Sequence, residues 1–139
     1  MMLKKILFLF LVDQVTKLIF DYREVKNFGL SFAINLGPIP NLILVILGLS
    51  FFIYYYWQRR EKFTYVGELT FVFIFAGALS NIFDRAYFGY VRDFMDLGWG
   101  FTFNLADIFV VVGLILFLYL PDKDKYQNFG WNANCDFGK

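Results

Sequence analysis

The sequence predicts an all-α membrane protein with four transmembrane helices and a short extracytoplasmic β segment between the first and second. Three observations predict it. Hydrophobic residues fill 59% of the 139 positions, with 20 Phe and 9 Tyr, more apolar surface than a soluble domain of this size can hide. These residues gather into four runs divided by polar segments. Ionisable residues also stand inside or at the ends of the runs, where a bilayer charges about 2.5–3.5 kcal/mol for each at a helix centre.

The spans are expected at about 5–20, 41–57, 65–83 and 105–120 of a single membrane domain covering 1–139. Crossing a hydrocarbon core takes about 20 residues and at least about 17, so the runs span only with their flanks. Lys4 and Lys5 before the first run resemble the start of a secretory signal peptide. No small-x-small cleavage site follows, and Asp13, Gln14, Thr16 and Lys17 interrupt the run, so a retained first span is expected. Tyr54, Tyr55, Tyr56 and Trp57 end the second span and read as an interfacial belt.

Basic residues set the orientation. Lys4, Lys5, Arg59, Arg60, Lys62, Lys123 and Lys125 fall on one side of a four-span chain, and Arg23, Lys26, Arg85 and Arg92 on the other. Both termini are therefore expected in the cytoplasm. Segments 21–40 and 84–104 then lie outside, and a polar, loosely ordered cytoplasmic tail occupies 121–139. The alternation through Leu30-Ser31-Phe32-Ala33-Ile34-Asn35 predicts a short strand or hairpin on the membrane surface, and Gly37-Pro38-Ile39-Pro40 a turn into the second span.

Composition excludes several chemistries. A chain without His holds no Ser-His triad and no His-based metal site. The single Cys, Cys135, allows no intrachain disulfide and no Cys-rich metal centre, and reads as a cytoplasmic thiol. A net charge of +1 without a clustered basic face offers nothing to nucleic acid. No metal and no cofactor are expected, and catalysis is left to carboxylates, Lys, Ser/Thr, Tyr or a lone thiol.

Asp13 and Lys17 are four apart and share a helix face. They are either a self-neutralising pair that lets the helix insert or a pair that holds outer backbone in place. Asn81, Asp84 and Arg85 close the third span, where the adjacent Asp84 and Arg85 read as a structural ion pair or as a means of tuning a nearby carboxylate. Glu68 sits near the cytoplasmic end and is assigned no role. Asp93 in the outer loop and Asp107 at the start of the fourth span lie on one membrane face. They are either a solvated loop charge and a first-turn carboxylate, or a pair too close for both to ionise. Such a pair supplies a base to activate water and an acid to protonate a leaving amine. Asp107 would also feel the favourable dipole of a helix N-terminus.

The order of these groups carries more than the groups themselves. Asp13-Gln14-Val15-Thr16-Lys17 is followed by Asn27-Phe28-Gly29-Leu30-Ser31-Phe32 and by Gly77-Ala78-Leu79-Ser80-Asn81-Ile82-Phe83-Asp84-Arg85. Gly89-Tyr90-Val91-Arg92-Asp93-Phe94 and Phe103-Asn104-Leu105-Ala106-Asp107 complete the series. This succession resembles the lipoprotein signal peptidase (signal peptidase II) family over roughly residues 13–113. The resemblance implies a bacterial cytoplasmic (inner) membrane aspartyl endopeptidase, free of metal, that cuts prolipoproteins just before a lipid-modified Cys. It makes Asp93 and Asp107 the catalytic pair. Asn81, Asp84, Arg85, Asn104 and Ala106 become neighbours that shape the site, and Asp13, Lys17, Asn27 and Gly29 supports for the outer segment and substrate cleft. The implied partners are the lipid-modified prolipoprotein and membrane lipids; nothing in the sequence requires a partner subunit, so a monomer is expected. Only nine residues separate Lys17 from Asn27, a shorter outer segment than is usual in that family.

Overall fold

The computed structural model describes residues 1–29, 37–98 and 101–119. These are mostly helical, in α1 (Met2–Ile19), α2 (Pro38–Arg59), α3 (Tyr65–Phe88) and α4 (Leu105–Leu118). Short 3-10 turns at Asp21–Arg23 and Arg60–Lys62 follow α1 and α2. Strands β1 (Val25–Asn27) and β2 (Val91–Asp93) form one antiparallel pair, β3 (Met95–Asp96) and β4 (Thr102–Phe103) another.

Among the described residues two helices are long and apolar enough to cross a membrane, spanning Ile39–Lys62 and Tyr65–Phe88. The 18 residues of α1 carry Lys4, Lys5, Asp13 and Lys17, and the apolar α4 has 14 residues. Apolar side chains nonetheless cover the outside: Leu7, Phe8, Leu11, Val15 and Leu18 on α1 are exposed, as are Leu47, Phe51 and Ile53 on α2. An apolar exterior of this extent fits hydrocarbon rather than water.

The helix bounds differ from expectation where local chemistry intervenes. Helix α3 continues to Phe88, past the predicted end at Phe83, so Asp84 and Arg85 are helical residues and not loop residues. It stops at Gly89, whose φ of +83° allows its N–H to close on the Arg85 carbonyl at 3.1 Å. The predicted turn at Gly37–Pro40 is the start of α2: Gly37 caps the helix and the prolines fall in its first turn, where a missing N–H costs nothing. Among the described residues between the first two helices, Val25–Asn27 form a strand that was not predicted. Its partner is the distant β2, with Val25 opposite Asp93 and Asn27 opposite Val91. Residues Leu30–Asn35, the end of the predicted fourth span at Leu120 and the tail with Cys135 lie outside the described residues.

Helix α3 is the hub, packed most extensively on α4 and then on α1, with α2 more lightly attached. Gly77 makes the α3–α4 approach possible, since a Cβ there would meet the Ala106 carbonyl oxygen at 2.3 Å. Toward the α2–α3 turn the core is aromatic. Phe63, Phe71 and Phe75 are buried, with Phe52, Tyr55, Tyr56 and Phe117 packed on them. Tyr55 and Tyr56 thus face inward, and only Tyr54 and Trp57 remain exposed as the belt reading expects. At the opposite end of α3 the core turns polar.

Gly77→Val is expected to force α3 and α4 apart, at the ~1–3 kcal/mol typical of overpacking. Its thermal unfolding midpoint in detergent should fall clearly below wild type. Gly48→Ala, where an added Cβ meets nothing within 4 Å, should leave the midpoint unchanged or higher.

Candidate active site

The polar end of the core is built around an ammonium group. Lys17, 1% exposed, places Nζ 2.7 Å from Asp13 Oδ2, 2.9 Å from Asp84 Oδ2 and 3.2 Å from Asn81 Oδ1. Its three N–H donors thus have three acceptors. Asp13 is as fully engaged, taking Ser80 Oγ at 2.6 Å on Oδ2 and the Ala106 N–H at 2.8 Å on Oδ1. This last bond ties α1 to the first turn of α4. Asp84 completes the cluster with Arg92, whose Nη2 lies 2.8 Å from Asp84 Oδ1 and whose backbone N–H lies 3.2 Å from Oδ2. Gln14 joins them by donating to Ser80 and Asp84 and accepting from Arg92 at 2.6 Å.

The Asp13–Lys17 pair expected from the four-residue spacing is present, and it reaches beyond itself to α3. The expected Asp84–Arg85 ion pair gives way to other partners. Consecutive helical residues point about 100° apart, so Asp84 turns to Lys17 and Arg92. Arg85 turns the other way, donating to the Gly29 carbonyl at 2.8 Å and the Asn81 carbonyl at 3.4 Å.

Asp93 and Asp107 meet across one asparagine. Asn104 caps α4: its Oδ1 accepts the Asp107 N–H at 3.0 Å, and Asp107 Oδ2 accepts the Asn104 N–H at 3.2 Å. The same Asn104 donates through Nδ2 to Asp93 Oδ1 at 2.8 Å and to Asn81 Oδ1 at 3.1 Å. Asn81 in turn donates to Asp107 Oδ1 at 2.9 Å. Its orientation is fixed by Lys17, because a flipped amide would aim its NH₂ at the ammonium. Asp93 is buried at the end of β2, where Asn27 on β1 donates to Oδ2 at 2.9 Å and Thr102 on β4 at 3.3 Å. Asn27 is itself held by the Gly29 N–H at 2.8 Å. Burial pushes the Asp93 carboxyl above the ordinary carboxylate range, against the opposing pull of Asn27, Asn104, Thr102 and the Lys17 charge.

A cavity of about 200 Å³ opens beside Asp107 between α2, α3 and α4. Asn81, Arg85 and Asp107 form its polar end; Leu49, Phe52 and Leu114 are among its apolar walls. Among the described residues no group of three or more His, Cys, Asp or Glu could hold a metal ion. The arrangement is therefore two carboxylates with fixed donors, at the mouth of an apolar cleft.

The signal peptidase (SPase) II family model matches residues 4–120. The chain belongs to that family. Its similarity to the lipoprotein signal peptidase of Halothermothrix orenii is 36% identity over 115 residues, 80% of this chain and 77% of that one. The match to the lipoprotein signal peptidase of Haemophilus influenzae is 29% over 150 residues, covering 86% and 85%. With that of Fusobacterium nucleatum it is 29% over 102 residues, and the match spans 62% of the relative's length, just under two thirds. Two solved bacterial membrane enzymes share the fold. One has a TM-score of 0.72 at 24% identity over 99% of this chain and 93% of the other; the second has 0.70 at 26% over 85% and 90%.

All eleven residues singled out by this family's motifs fall in one connected network or against it: Asp13, Lys17, Asn27, Gly29, Asn81, Asp84, Arg85, Asp93, Asn104, Ala106 and Asp107. Sequence reasoning left Gln14, Ser80 and Arg92 without a role and did not single out Thr102. Helical spacing was a usable signal for Gln14 and Ser80, since Ser80 precedes Asn81 and Asp84 as Asp13 and Gln14 precede Lys17. Arg92 enters the sequence reading only as one of the outer basic residues, and Thr102 reaches Asp93 through the β3–β4 strand pairing.

Replacing Lys17 with Ala strips the common counter-ion from Asp13 and Asp84, at the ~3–5 kcal/mol usual for breaking a buried pair. Thermal unfolding of Lys17→Ala in detergent should show a large drop in midpoint, with residual activity tracking the folded fraction.

Proposed function

We propose that the chain is a membrane aspartyl endopeptidase that removes the signal peptide from diacylglyceryl-modified prolipoproteins, cutting just before the lipidated Cys. The observation that carries this reading is the double hold of Asn104, which grips Asp93 with its side chain and Asp107 with its backbone. One proton shared by the two carboxylates leaves one as base and the other as acid. The base takes a proton from water as the water oxygen adds to the scissile carbonyl, and the acid protonates the carbonyl oxygen. In the second half-reaction the proton gained from water passes to the leaving amine and the acid recovers its own. Fixed amide donors around both groups lower the reorganisation needed at each step.

The apolar cleft beside Asp107 suits the acyl chains or the apolar signal segment of such a substrate. The site's place at one end of the helices suits a scissile bond held at the membrane surface by its lipid. On this reading α1 and α4 also cross the bilayer, giving four spans in one membrane domain. α1 does so because Asp13 and Lys17 neutralise each other. Both termini are cytoplasmic and the site faces outward. The basic-residue bias toward the cytoplasm strengthens once Arg92 is discounted, its charge being offset by Asp84. The enzyme acts as a monomer in the bacterial inner membrane, since both carboxylates come from one chain.

Asp93→Asn and Asp107→Asn should each lower cleavage of a diacylglyceryl-modified prolipoprotein by at least ~10²-fold, with unfolding midpoints showing folded protein. A gel-shift assay in detergent reads this directly, and a variant that still cleaves at the wild-type rate would remove the pair from the mechanism. Wild-type protein that is folded yet inert toward several prolipoproteins would instead indicate a non-catalytic relative that binds them.

The pH profile of kcat/KM should be bell-shaped. A carboxylate is lost as base when pH falls through its pKa, and burial raises that of Asp93. The acid limb should therefore lie above the ordinary Asp value of about 3.9, and activity should fall again when the shared proton is lost at higher pH. Initial rates at sub-saturating substrate across the pH range test it.

A further inference from the structure

This inference rests on the two-aspartate reading and concerns how one of the pair is held. Asp93 is gripped from three elements. Asn27 on β1 donates to Oδ2 at 2.9 Å, Asn104 at the start of α4 donates to Oδ1 at 2.8 Å, and Thr102 Oγ1 on β4 lies 3.3 Å from Oδ2. The two amide nitrogens can only donate. They favour an ionised Asp93 and have nothing to offer a proton placed on it. A hydroxyl differs, because it rotates and either donates or accepts. Thr102 is brought there by backbone pairing. Met95 lies opposite Phe103 and Asp96 opposite Thr102, and the Phe94 N–H donates to the Phe103 carbonyl at 3.3 Å. The β3–β4 pair thus delivers the Thr102 hydroxyl beside the end of β2.

We propose that Thr102 is a positioning residue that holds Asp93 as the ionised, water-activating member of the pair and accepts its O–H once the proton has moved. The proton balance is closed. A water O–H bond breaks, its proton goes to Asp93, and the water oxygen bonds to the scissile carbonyl carbon while the carbonyl oxygen takes the proton of Asp107. When the C–N bond breaks, the nitrogen takes the proton from Asp93, and Asp107 regains one from the tetrahedral intermediate. Between those two events the Thr102 hydroxyl turns from donor to acceptor.

Other charges face Asp93 from every side: Asp107 on α4, Lys17 on α1 and Arg85 on α3. Asp96, opposite Thr102, turns its carboxylate to the Gly98 N–H at 2.7 Å. None of these changes when Thr102 is substituted, so the pH profile isolates the hydroxyl. Thr102→Val keeps the β-branched shape and removes the hydroxyl, while Thr102→Ser keeps the hydroxyl on a smaller side chain.

The test is kcat/KM against pH for the full-length wild type, Thr102→Val and Thr102→Ser in detergent, with a diacylglyceryl-modified prolipoprotein as substrate. Loss of a donor to an ionised carboxylate raises its pKa, so the acid limb of Thr102→Val should move up by roughly one pH unit. Its plateau should fall through kcat rather than KM, and Thr102→Ser should restore the wild-type limb. An unmoved acid limb in folded Thr102→Val, a shift confined to the alkaline limb, or a Thr102→Ser profile displaced as in the Val variant would each overturn the assignment. A wild type without activity would remove the two-aspartate reading itself, and this inference with it.

Discussion

The ammonium of Lys17 is the constraint on which the rest of the structure depends. Buried beyond reach of water, it is tolerable only if every N–H finds an acceptor and its charge a counter-charge. Asp13 on its own helix and Asp84 on α3 supply the charge, and Asn81 takes the last donor. That leaves one carboxylate in excess, which Arg92 balances from β2. The two anions and two cations cancel inside a region that apolar side chains surround, and the requirement for cancellation fixes α1, α3 and β2 relative to one another.

What this arrangement supports is a rigid frame under Asp93 and Asp107. Asp13 reaches through its second oxygen to the Ala106 N–H, which seats the first turn of α4, and Lys17 fixes the Asn81 amide. Asn81 and Asn104 then present their NH₂ groups to Asp107 and Asp93. A satisfied buried polar network rigidifies a core, and hydrogen bonds here run from the ion pairs to both carboxylates, although the buried Arg92 Nε has no partner. Close contact of α3 and α4 at Gly77 serves the same end, because the helix that carries Asn81 and the helix that carries Asp107 must not drift.

The helices were legible in the sequence because hydrophobic runs are a local signal, and the Asp13–Lys17 pair because four-residue spacing on a helix is local too. Legibility failed where geometry crosses the chain. Asp84 and Arg85 are adjacent in sequence and diverge in space, so adjacency misassigned their partners. Strand β1 owes its existence to β2, with Asp93 lying 68 residues after its partner Val25, and no pattern within Asp21–Pro40 points to so distant a partner. Thr102 is only nine residues from Asp93, but its place there depends on the β3–β4 pairing. The eleven motif residues were found through their order along the chain, which resemblance can read, and their roles in the network became readable only once distances were available.

The two ends of α3 explain why one small bundle can hold both a stable core and a charged site. Phe63, Phe71 and Phe75 pack one end with large rings that demand no partners. Thr70 lies within that aromatic end, its hydroxyl satisfied by the Val66 carbonyl at 3.0 Å. From Ser80 onward each buried side chain is polar or faces the cleft, and each polar one is bonded to a different element. Stability from the aromatic end offsets the cost of keeping Asp93 buried with its pKa raised. The same division places Asp93 and Asp107 at the end of the helices, beside the strands, with Asp107 also at the polar end of the apolar cleft between α2, α3 and α4.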